Sequence, residues 1–306
     1  EIYTLSLHDA LPIWSAGDPM GQKNLNTKII MDSCTELDLS ALDSSIAYER
    51  IPFKIIIDDQ EIIDRNLNQA ELIDKMQMSR NKIRTACPSP QDFFDAFDPN
   101  AMNYIVTISK YLSGCYNAAS IAQQMAADAG FGDRVYVFDS LSAVTGEDLT
   151  VLKIIELVQR NLSAVDLIPI VRDYIAHMST FFVLNSLDNL VKNGRIRHSV
   201  ALVGKVLKII PIMMGVSGEI ELKEKCRGHK KTMIRLAQII TEEVVNAPMR
   251  ILAISHVNAP EKALKLKEEI IKAGAKFKEI IILEAGGLST VYAADQIGRA
   301  SCRERV

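Results

Sequence analysis

The sequence has no stretch long and apolar enough to mark a membrane-spanning helix. A helix that crosses a bilayer needs about 20 apolar residues, and Lys205 and Lys208 interrupt the most apolar region, residues 200–216. The basic and apolar regions of a secretory signal are missing as well. The net charge of −3 leaves no basic surplus for binding nucleic acid. We therefore expect a cytoplasmic protein with no integral membrane segment and no nucleic-acid partner.

Cysteine is scarce, and the five cysteines form no CxxC pair and no disulfide-rich spacing. That usage favours a reducing compartment. Cys34, Cys87 and Cys115 each fall near the end of a predicted strand, so they could converge in space. We favour packing as small, inert hydrophobic residues over redox chemistry for these three thiols.

Motifs for metal, nucleotide and hydrolytic chemistry are also missing. The histidines are scattered, with no HxxxH and no clustered carboxylates, so we expect no metal site. GxxxxGK[ST] does not occur, and the glycines near residue 130 follow a helix rather than a strand, which argues against a nucleotide cofactor. The GxSxG turn that carries the nucleophile of many serine hydrolases is absent too.

The two ends of the chain do not resemble the rest. Residues 1–19 show no clear period, and residues 296–306 form a basic tail without expected structure. We expect both segments to be non-native, with the natural protein beginning near Met20 and its true C-terminus missing. Ordinary disordered termini are the alternative.

The body of the chain alternates apolar strands with amphipathic helices. Apolar runs without strict alternation, such as residues 103–109 and 134–140, are each followed or preceded by a helical pattern. This arrangement predicts a parallel sheet covered on both faces. We predict an α/β fold, with a three-layer α/β/α N-terminal domain of mostly parallel sheet at residues 20–150. The second half has more hairpin character and predicts an α+β domain with a mixed sheet at residues 151–295.

Small polar side chains recur where the predicted strands end. They are Asp32, Ser33, Thr85, Ser109, Ser113 and residues 139–142. Because ligands of parallel sheets bind at the carboxyl ends of strands, we expect a binding site there. At Ser113–Gly114 the glycine allows close approach, and the following helix offers free N–H groups, which suits a small anion such as a carboxylate or phosphate. A plain helix cap is the alternative interpretation.

Six stretches of the sequence, taken in series, resemble the DegV family. They are MDSCTELDLS, RTACPSPQDFFDAF, ISKYLSGCYNAA, VFDSLSAVTG, LDNLVKNGRI and GKVLKIIPIM. In order and rough spacing they are similar to DS-T-x-L, TSQPS, SS-LSGTY-SA, DS-S-G, L-LKKGGRI and G-LL-IKPI of that family. The resemblance covers residues 28–295, essentially the whole body of the chain.

The resemblance implies a fatty-acid-binding protein that acts in bacteria as the lipid-carrying subunit of fatty-acid kinase. Such a protein binds a long-chain fatty acid between its two domains, close to the TSQPS and LSGTY loops. It presents the carboxyl group to a separate kinase subunit, which phosphorylates it to acyl-phosphate for phospholipid synthesis. The carrier itself is not catalytic, and the resemblance implies no cofactor besides the bound fatty acid.

Residue by residue, Thr85 matches the Thr of TSQPS and Ser113 matches the Ser of LSGTY. The resemblance implies that both hydroxyls bind the fatty-acid carboxyl group, with Ser109 and Asn117 as further candidates. Arg195 matches the end of GGRI, and we expect it near the carboxyl or phosphate group, or in contact with the kinase subunit.

The sequence departs from the family pattern in three places. Ala86 and Cys87 replace a hydroxyl and an amide of TSQPS, and Cys115 replaces the Thr of LSGTY. The His that many members place near the C-terminus is absent. We expect Thr290 or Tyr292 to take over its role at the carboxyl group.

The hydrocarbon chain of a fatty acid requires an apolar tunnel, because each buried CH₂ contributes about 0.8 kcal/mol. Candidate walls are residues 93–97, 181–184 and 206–214, although such runs also build ordinary cores. Two other functions stay open. One is an enzyme, kinase-like or transferase, acting on a small substrate at the same loops, since the related dihydroxyacetone-kinase fold permits it. The other is a structural or regulatory binder without lipid.

Overall fold

Strands and helices alternate along most of the chain. The computed structural model describes residues 26–40, 46–184, 186–196 and 209–293, together with the backbone of residues 297–304. The strands are β1 (Thr27–Asp32), β2 (Ile46–Ile51), β3 (Lys54–Ile57), β4 (Gln60–Ile63), β5 (Arg84–Ala86), β6 (Met102–Thr107), β7 (Val135–Asp139), β8 (Ser179–Val183), β9 (Ile209–Val216), β10 (Glu219–Arg227), β11 (Arg250–His256), β12 (Glu279–Glu284) and β13 (Ile297–Glu304). The helices are α1 (Gln69–Met78), α2 (Pro90–Asp95), α3 (Cys115–Asp128), α4 (Thr145–Gln159), α5 (Ala164–Ala176), α6 (Asp188–Lys192), α7 (His229–Glu243), α8 (Pro260–Lys272) and α9 (Gly287–Ala293). The predicted non-native leader, residues 1–19, lies outside the described residues.

The N-terminal half is built on a parallel sheet in the order β2-β1-β6-β7. Ile29 and Ile30 of β1 point to opposite faces of this sheet, because side chains alternate along a strand. Neither is exposed to solvent. Ile29 packs with residues of α4 and α5, whereas Ile30 packs with residues of α2 and α3. The predicted three-layer α/β/α architecture is therefore confirmed.

The C-terminal half contains a mixed sheet in the order β10-β9-β8-β13-β11-β12. Strands β11 and β12 pair in parallel, and the other neighbours pair antiparallel. Helices α7 and α8 pack against it through buried residues such as Leu236, Ile240 and Leu266. The mixed α+β character predicted for this half is confirmed.

Strand β13 corrects one expectation from the sequence. Residues 296–306 were expected to have no regular structure, and that is wrong for Ile297–Glu304, whose backbone pairs antiparallel with both β8 and β11. A strand at this position satisfies the backbone groups of its two neighbours, which would be costly to leave unpaired inside a sheet. The domain boundary predicted between residues 150 and 151 falls inside α4 and stays a prediction.

A small antiparallel sheet, β4-β3-β5, lies apart from the two larger sheets. Residues 48–58 are rich in β-forming side chains throughout. The structure divides that run at Pro52, between the end of β2 and the start of β3. Proline has no backbone N–H for a strand ladder, which explains the break. The third strand of this sheet, β5, carries Thr85 beside β3.

Local signals placed several helix ends correctly. The Asn68 side chain accepts the Glu71 N–H at 3.1 Å at the start of α1. Ser89 and Asp92 cap the start of α2 reciprocally. Gly130 adopts a left-handed φ of 87° just after α3, as a helix-ending glycine does. These three helix ends are thus set by residue types that favour helix starts and stops.

No helix in the described part of the chain has both the length and the apolar composition to cross a membrane. The helices α4 and α7 have 15 residues each. At 1.5 Å per residue each is about 22 Å long, whereas a bilayer core is about 30 Å thick.

The tip of the β9–β10 hairpin contacts the loop after β6 and so joins the two halves. The buried Ser109 hydroxyl donates to the Gly218 carbonyl at 2.7 Å. Gly218 has a φ of 92°, and a Cβ there would lie 2.6 Å from Ser109 Oγ and 2.9 Å from Tyr111 Cδ2. The hairpin tip therefore fits only because residue 218 has no side chain.

We expect Gly218→Ala to lower the free energy of unfolding by about 2–4 kcal/mol, because it combines a left-handed φ with a steric clash. Gly130→Ala is the matched control, since Gly130 has a similar φ of 87° but nothing within 4 Å of the added Cβ. Urea denaturation of both variants separates the free-energy cost of the steric clash from the cost of the left-handed backbone. Equal losses in the two variants would show that the hairpin tip is not tightly packed.

Candidate functional site

A largely apolar pocket lies where the carboxyl ends of strands from both large sheets meet. The space between its walls is about 610 Å³, including the part that is open to solvent. Its walls follow the ends of β1, β6, β7, β8, β11 and β12, as expected for a ligand site in an α/β fold. Apolar lining residues include Ile108, Leu112, Leu184, Leu190, Val257 and Leu288. The space and its lining suit an apolar ligand.

Of the runs expected from the sequence as tunnel walls, only Leu184 lines the described pocket. Phe93, Phe181, Phe182 and Met213 are buried in core clusters. Phe93 lies on α2, and the side chains of β8 and β9 pack against helices. Residues 206–208 lie outside the described residues.

A chain of polar contacts crosses one wall of the pocket. Thr85 Oγ1 lies 2.8 Å from the hydroxyl of Tyr292, which lines the pocket. The Arg195 guanidinium carbon lies 5.9 Å from the centre of the Tyr292 ring, a cation–π distance. Arg195 Nε donates to the Leu112 carbonyl at 3.0 Å. Thr85, Tyr292 and Arg195 thus come together from three separate segments.

The two hydroxyl-bearing loops identified in the sequence also meet. Cys87, two residues after Thr85, hydrogen-bonds with Ser113, and its Sγ would lie 3.6 Å from a Cβ placed on Gly114. Burial raises the pKa of the Cys87 thiol, whereas the hydrogen bond from the Ser113 hydroxyl lowers it. Ser113 Oγ also accepts the Cys115 N–H at 3.3 Å. Because a thiol sulfur is a weak acceptor, a ligand carboxylate would compete with Cys87 for the Ser113 hydroxyl proton.

None of the predicted ligand residues is among those that line the pocket, although Thr85 contacts the lining residue Tyr292 and Ser113 follows the lining residue Leu112. The Ser109 hydroxyl is committed to the Gly218 carbonyl. Thr290 is fully buried, and its Oγ1 donates to the Gly286 carbonyl at 2.8 Å within its own helical turn. Asn117 lies exposed on α3. Of the two residues proposed to replace the missing His, the structure places Tyr292 and not Thr290 in the pocket wall.

Sequence reasoning missed a group of buried carboxyl groups behind the pocket. Asp32, Glu147 and Asp148 are fully buried, and Asp64 is 5% exposed. The expectation of no clustered carboxylates is wrong, because these residues come from segments distant in the chain. Burial raises the pKa of all four, that of Asp148 to about 7. Desolvation disfavours the charged form of each.

Asp32 and Glu147 lie close together at the base of this group. Asp32 Oδ2 accepts the Ile108 N–H at 2.8 Å and the Cys115 thiol at 3.2 Å. Neither Glu147 oxygen accepts a hydrogen bond, and burial, followed by the Asp32 charge, raises the pKa of Glu147 well above its usual value. Ligand atoms of Asp32, Cys34 and Glu147 lie within 4.8 Å of one another, a spacing that a metal ion tolerates. A proton on Glu147 pairs it with Asp32 without a metal ion.

The chain matches known protein sequences along most of its length. The model of the DegV family, described as uncharacterised proteins, matches residues 26–298. A DegV domain-containing protein of Streptococcus gordonii is 31% identical over 276 residues, which cover 88% of this chain and 95% of that protein.

Two solved structures are similar to the chain in fold and sequence. A DegV-family protein from Ruminococcus gnavus with vaccenic acid is 34% identical, with a TM-score of 0.83, covering 92% of this chain and 100% of that one. The Fatty Acid Kinase (Fak) B3 protein of Streptococcus pneumoniae, loaded with linoleic acid, is 28% identical, with a TM-score of 0.84. The similarity covers 92% of this chain and 99% of the Streptococcus protein.

Proposed function

The chain belongs to the DegV family, and from that membership we propose that it binds a long-chain fatty acid in the pocket between its two halves. The observation that carries the proposal is an apolar pocket of about 610 Å³ with one polar wall. A hydrocarbon chain gains about 0.8 kcal/mol per buried CH₂. A buried carboxyl group needs hydrogen bonds, since an unsatisfied polar group costs about 1–3 kcal/mol.

We place the carboxyl group between Ser113 and the Thr85–Tyr292 pair. The two hydroxyls of that pair share one hydrogen bond, so one hydroxyl proton remains to donate to a ligand. Ser113 supplies a second donor. Two donors match the two oxygens of a carboxylate and bind it without a bidentate arginine clamp. Arg195 contributes a nearby positive charge, while its Nε stays on the Leu112 carbonyl.

We further propose that the chain is a non-catalytic carrier that presents the carboxyl group to a separate kinase subunit. The likeness to the Streptococcus pneumoniae Fak B3 protein supports this, as does the exposure of Gly114 beside Ser113. Arg195 then lies near the phosphate that is transferred, or at the contact with the kinase subunit. In a reconstituted reaction with ATP, acyl-phosphate should form only when a bacterial fatty-acid kinase subunit is added. Formation by the chain alone would make it an enzyme.

Native mass spectrometry of the protein purified from a bacterial host tests the binding proposal directly. We expect one long-chain fatty acid retained per chain, because the apolar pocket shields the hydrocarbon from water. Denaturing the same sample should release the ligand for identification by chain length. A protein that emerges empty, or with a bound nucleotide, contradicts fatty-acid binding.

A further inference from the structure

Helix α9 carries Tyr292 into the pocket, yet its first turn is fixed by carboxyl groups from the other half of the chain. Asp64 Oδ2 accepts the Leu288 N–H at 3.0 Å, and Asp64 also accepts the Gly287 N–H. Glu36 accepts the Gly286 N–H and the Ser289 hydroxyl, the latter at 2.8 Å. The first N–H groups of a helix have no partner within it. Here two carboxyl groups from outside the helix supply those partners.

The packing at this helix start leaves no room for side chains. A Cβ on Gly287 would lie 2.2 Å from Asp64 Oδ1, and a Cβ on Gly286 would lie 2.9 Å from Glu36 Oε2. The glycine pair therefore lets both carboxyl groups contact the backbone directly. Asp64 is oriented in turn by the Ser33 hydroxyl, which donates to it at 2.7 Å.

These contacts also affect the position of Tyr292 at the opposite end of the helix. Helix α9 has seven residues, and a helix this short is not stable by itself. Its orientation therefore depends on the packing of its buried residues and on contacts at its two ends. Asn189 donates to the Val291 carbonyl at 2.7 Å near the C-terminal end, and the two carboxyl groups fix the N-terminal end. A shift of the helix start would move Tyr292 away from Thr85.

We propose that Asp64 and Glu36 are positioning residues for the Tyr292 hydroxyl, and so set the affinity for the fatty-acid head group without touching it. This inference rests on the proposed function. It assigns a role in binding to the Gly286–Gly287 pair and to two buried carboxyl groups. The sequence by itself conceals that role.

A double-mutant cycle between Asp64→Ala and Tyr292→Phe tests the proposal, with oleic acid as the probe in equilibrium titrations. Losing a helix cap is worth about fivefold in an equilibrium constant, so Asp64→Ala should weaken oleate binding by about that factor. In the Tyr292→Phe background the same change should cost less than about twofold, because the group being positioned is gone. Asp64→Asn retains an acceptor oxygen and should bind within about twofold of the wild type.

Ser163→Ala is the matched control, since Ser163 caps α5, which contributes no residue to the pocket lining. It should lower the melting temperature and leave oleate affinity unchanged. If Asp64→Ala does not fold, Glu36→Ala replaces it in the cycle. The positioning role is overturned if Asp64→Ala weakens oleate binding equally in the wild type and in Tyr292→Phe. It is also overturned if Asp64→Ala folds and binds oleate with unchanged affinity. A wild-type protein that fails to bind oleate overturns the proposed function as well.

Discussion

Removing together the three hydroxyls proposed to hold the carboxyl group, in the variant Thr85→Val, Ser113→Ala and Tyr292→Phe, is expected to weaken fatty-acid binding at least about a hundredfold. Each hydrogen bond to a charged group contributes about 1.5–3 kcal/mol, and the structure offers two such donors to a carboxylate. Without them the carboxylate would be buried with no donor from the Thr85 and Ser113 loops. Isothermal titration with oleate measures the loss.

The control for this variant is Ser120→Ala. Ser120 lies on α3, and its hydroxyl donates to the Tyr116 carbonyl at 2.8 Å within the helix. Its removal should leave oleate affinity unchanged. If the triple variant binds oleate as tightly as the wild type while remaining folded, the head group lies elsewhere in the pocket.

The protein is expected to be several kcal/mol more stable near pH 5 than near pH 8. Burial raises the pKa of Asp148 from 3.8 to about 7, so between these values the folded chain binds a proton that the unfolded chain has released. The resulting stability is fully present below about pH 4 and is lost as the pH rises through about 7. Between pH 5 and about pH 7 this loss spans about two pKa units, or about 3 kcal/mol. The raised pKa values of Asp32, Glu36, Asp64 and Glu147 act in the same direction.

Urea midpoints at pH 5 and pH 8, at constant ionic strength, measure this difference. Asp148→Asn keeps an oxygen to accept the Glu36 N–H, which now bonds Asp148 at 2.7 Å. It should reduce the pH dependence and stabilise the protein at pH 8, whereas the exposed change Asp74→Asn should do neither. Stability that rises from pH 5 to pH 8 would show that the buried carboxyl groups are ionised in the folded protein.

Much of the fold was predictable because its signals are local. The N-caps at Asn68 and Ser89 and the stop at Gly130 depend on residues within one turn of the helix. The parallel sheet followed from apolar runs that lack alternation, which is typical of strands covered on both faces. The small sheet and β13 were not predicted, because β3 and β5 recognise each other across about thirty residues and β13 falls in a segment without a strand pattern.

The candidate site was predictable only in part. Thr85, Ser113 and Arg195 come from motifs with a recognisable order, and the structure brings their loops together around Cys87, Tyr292 and Leu112. Ser109 and Thr290 carry the same kind of hydroxyl. Their hydrogen bonds to the carbonyls of Gly218 and Gly286 are formed only in the folded chain. Sequence alone cannot tell a free hydroxyl from one that already has a partner.

The sequence by itself determined the family, the two-sheet architecture and the loops proposed to bind the ligand, since all three depend on residue type and spacing along the chain. Only the tertiary structure decided which side chains face the pocket, and that Asp64 and Glu36 contact the start of the helix carrying Tyr292. The physical reason is that burial and hydrogen bonding depend on distances in space. Crossover connections bring together residues more than 200 positions apart in the sequence, as the contact between Thr85 and Tyr292 shows.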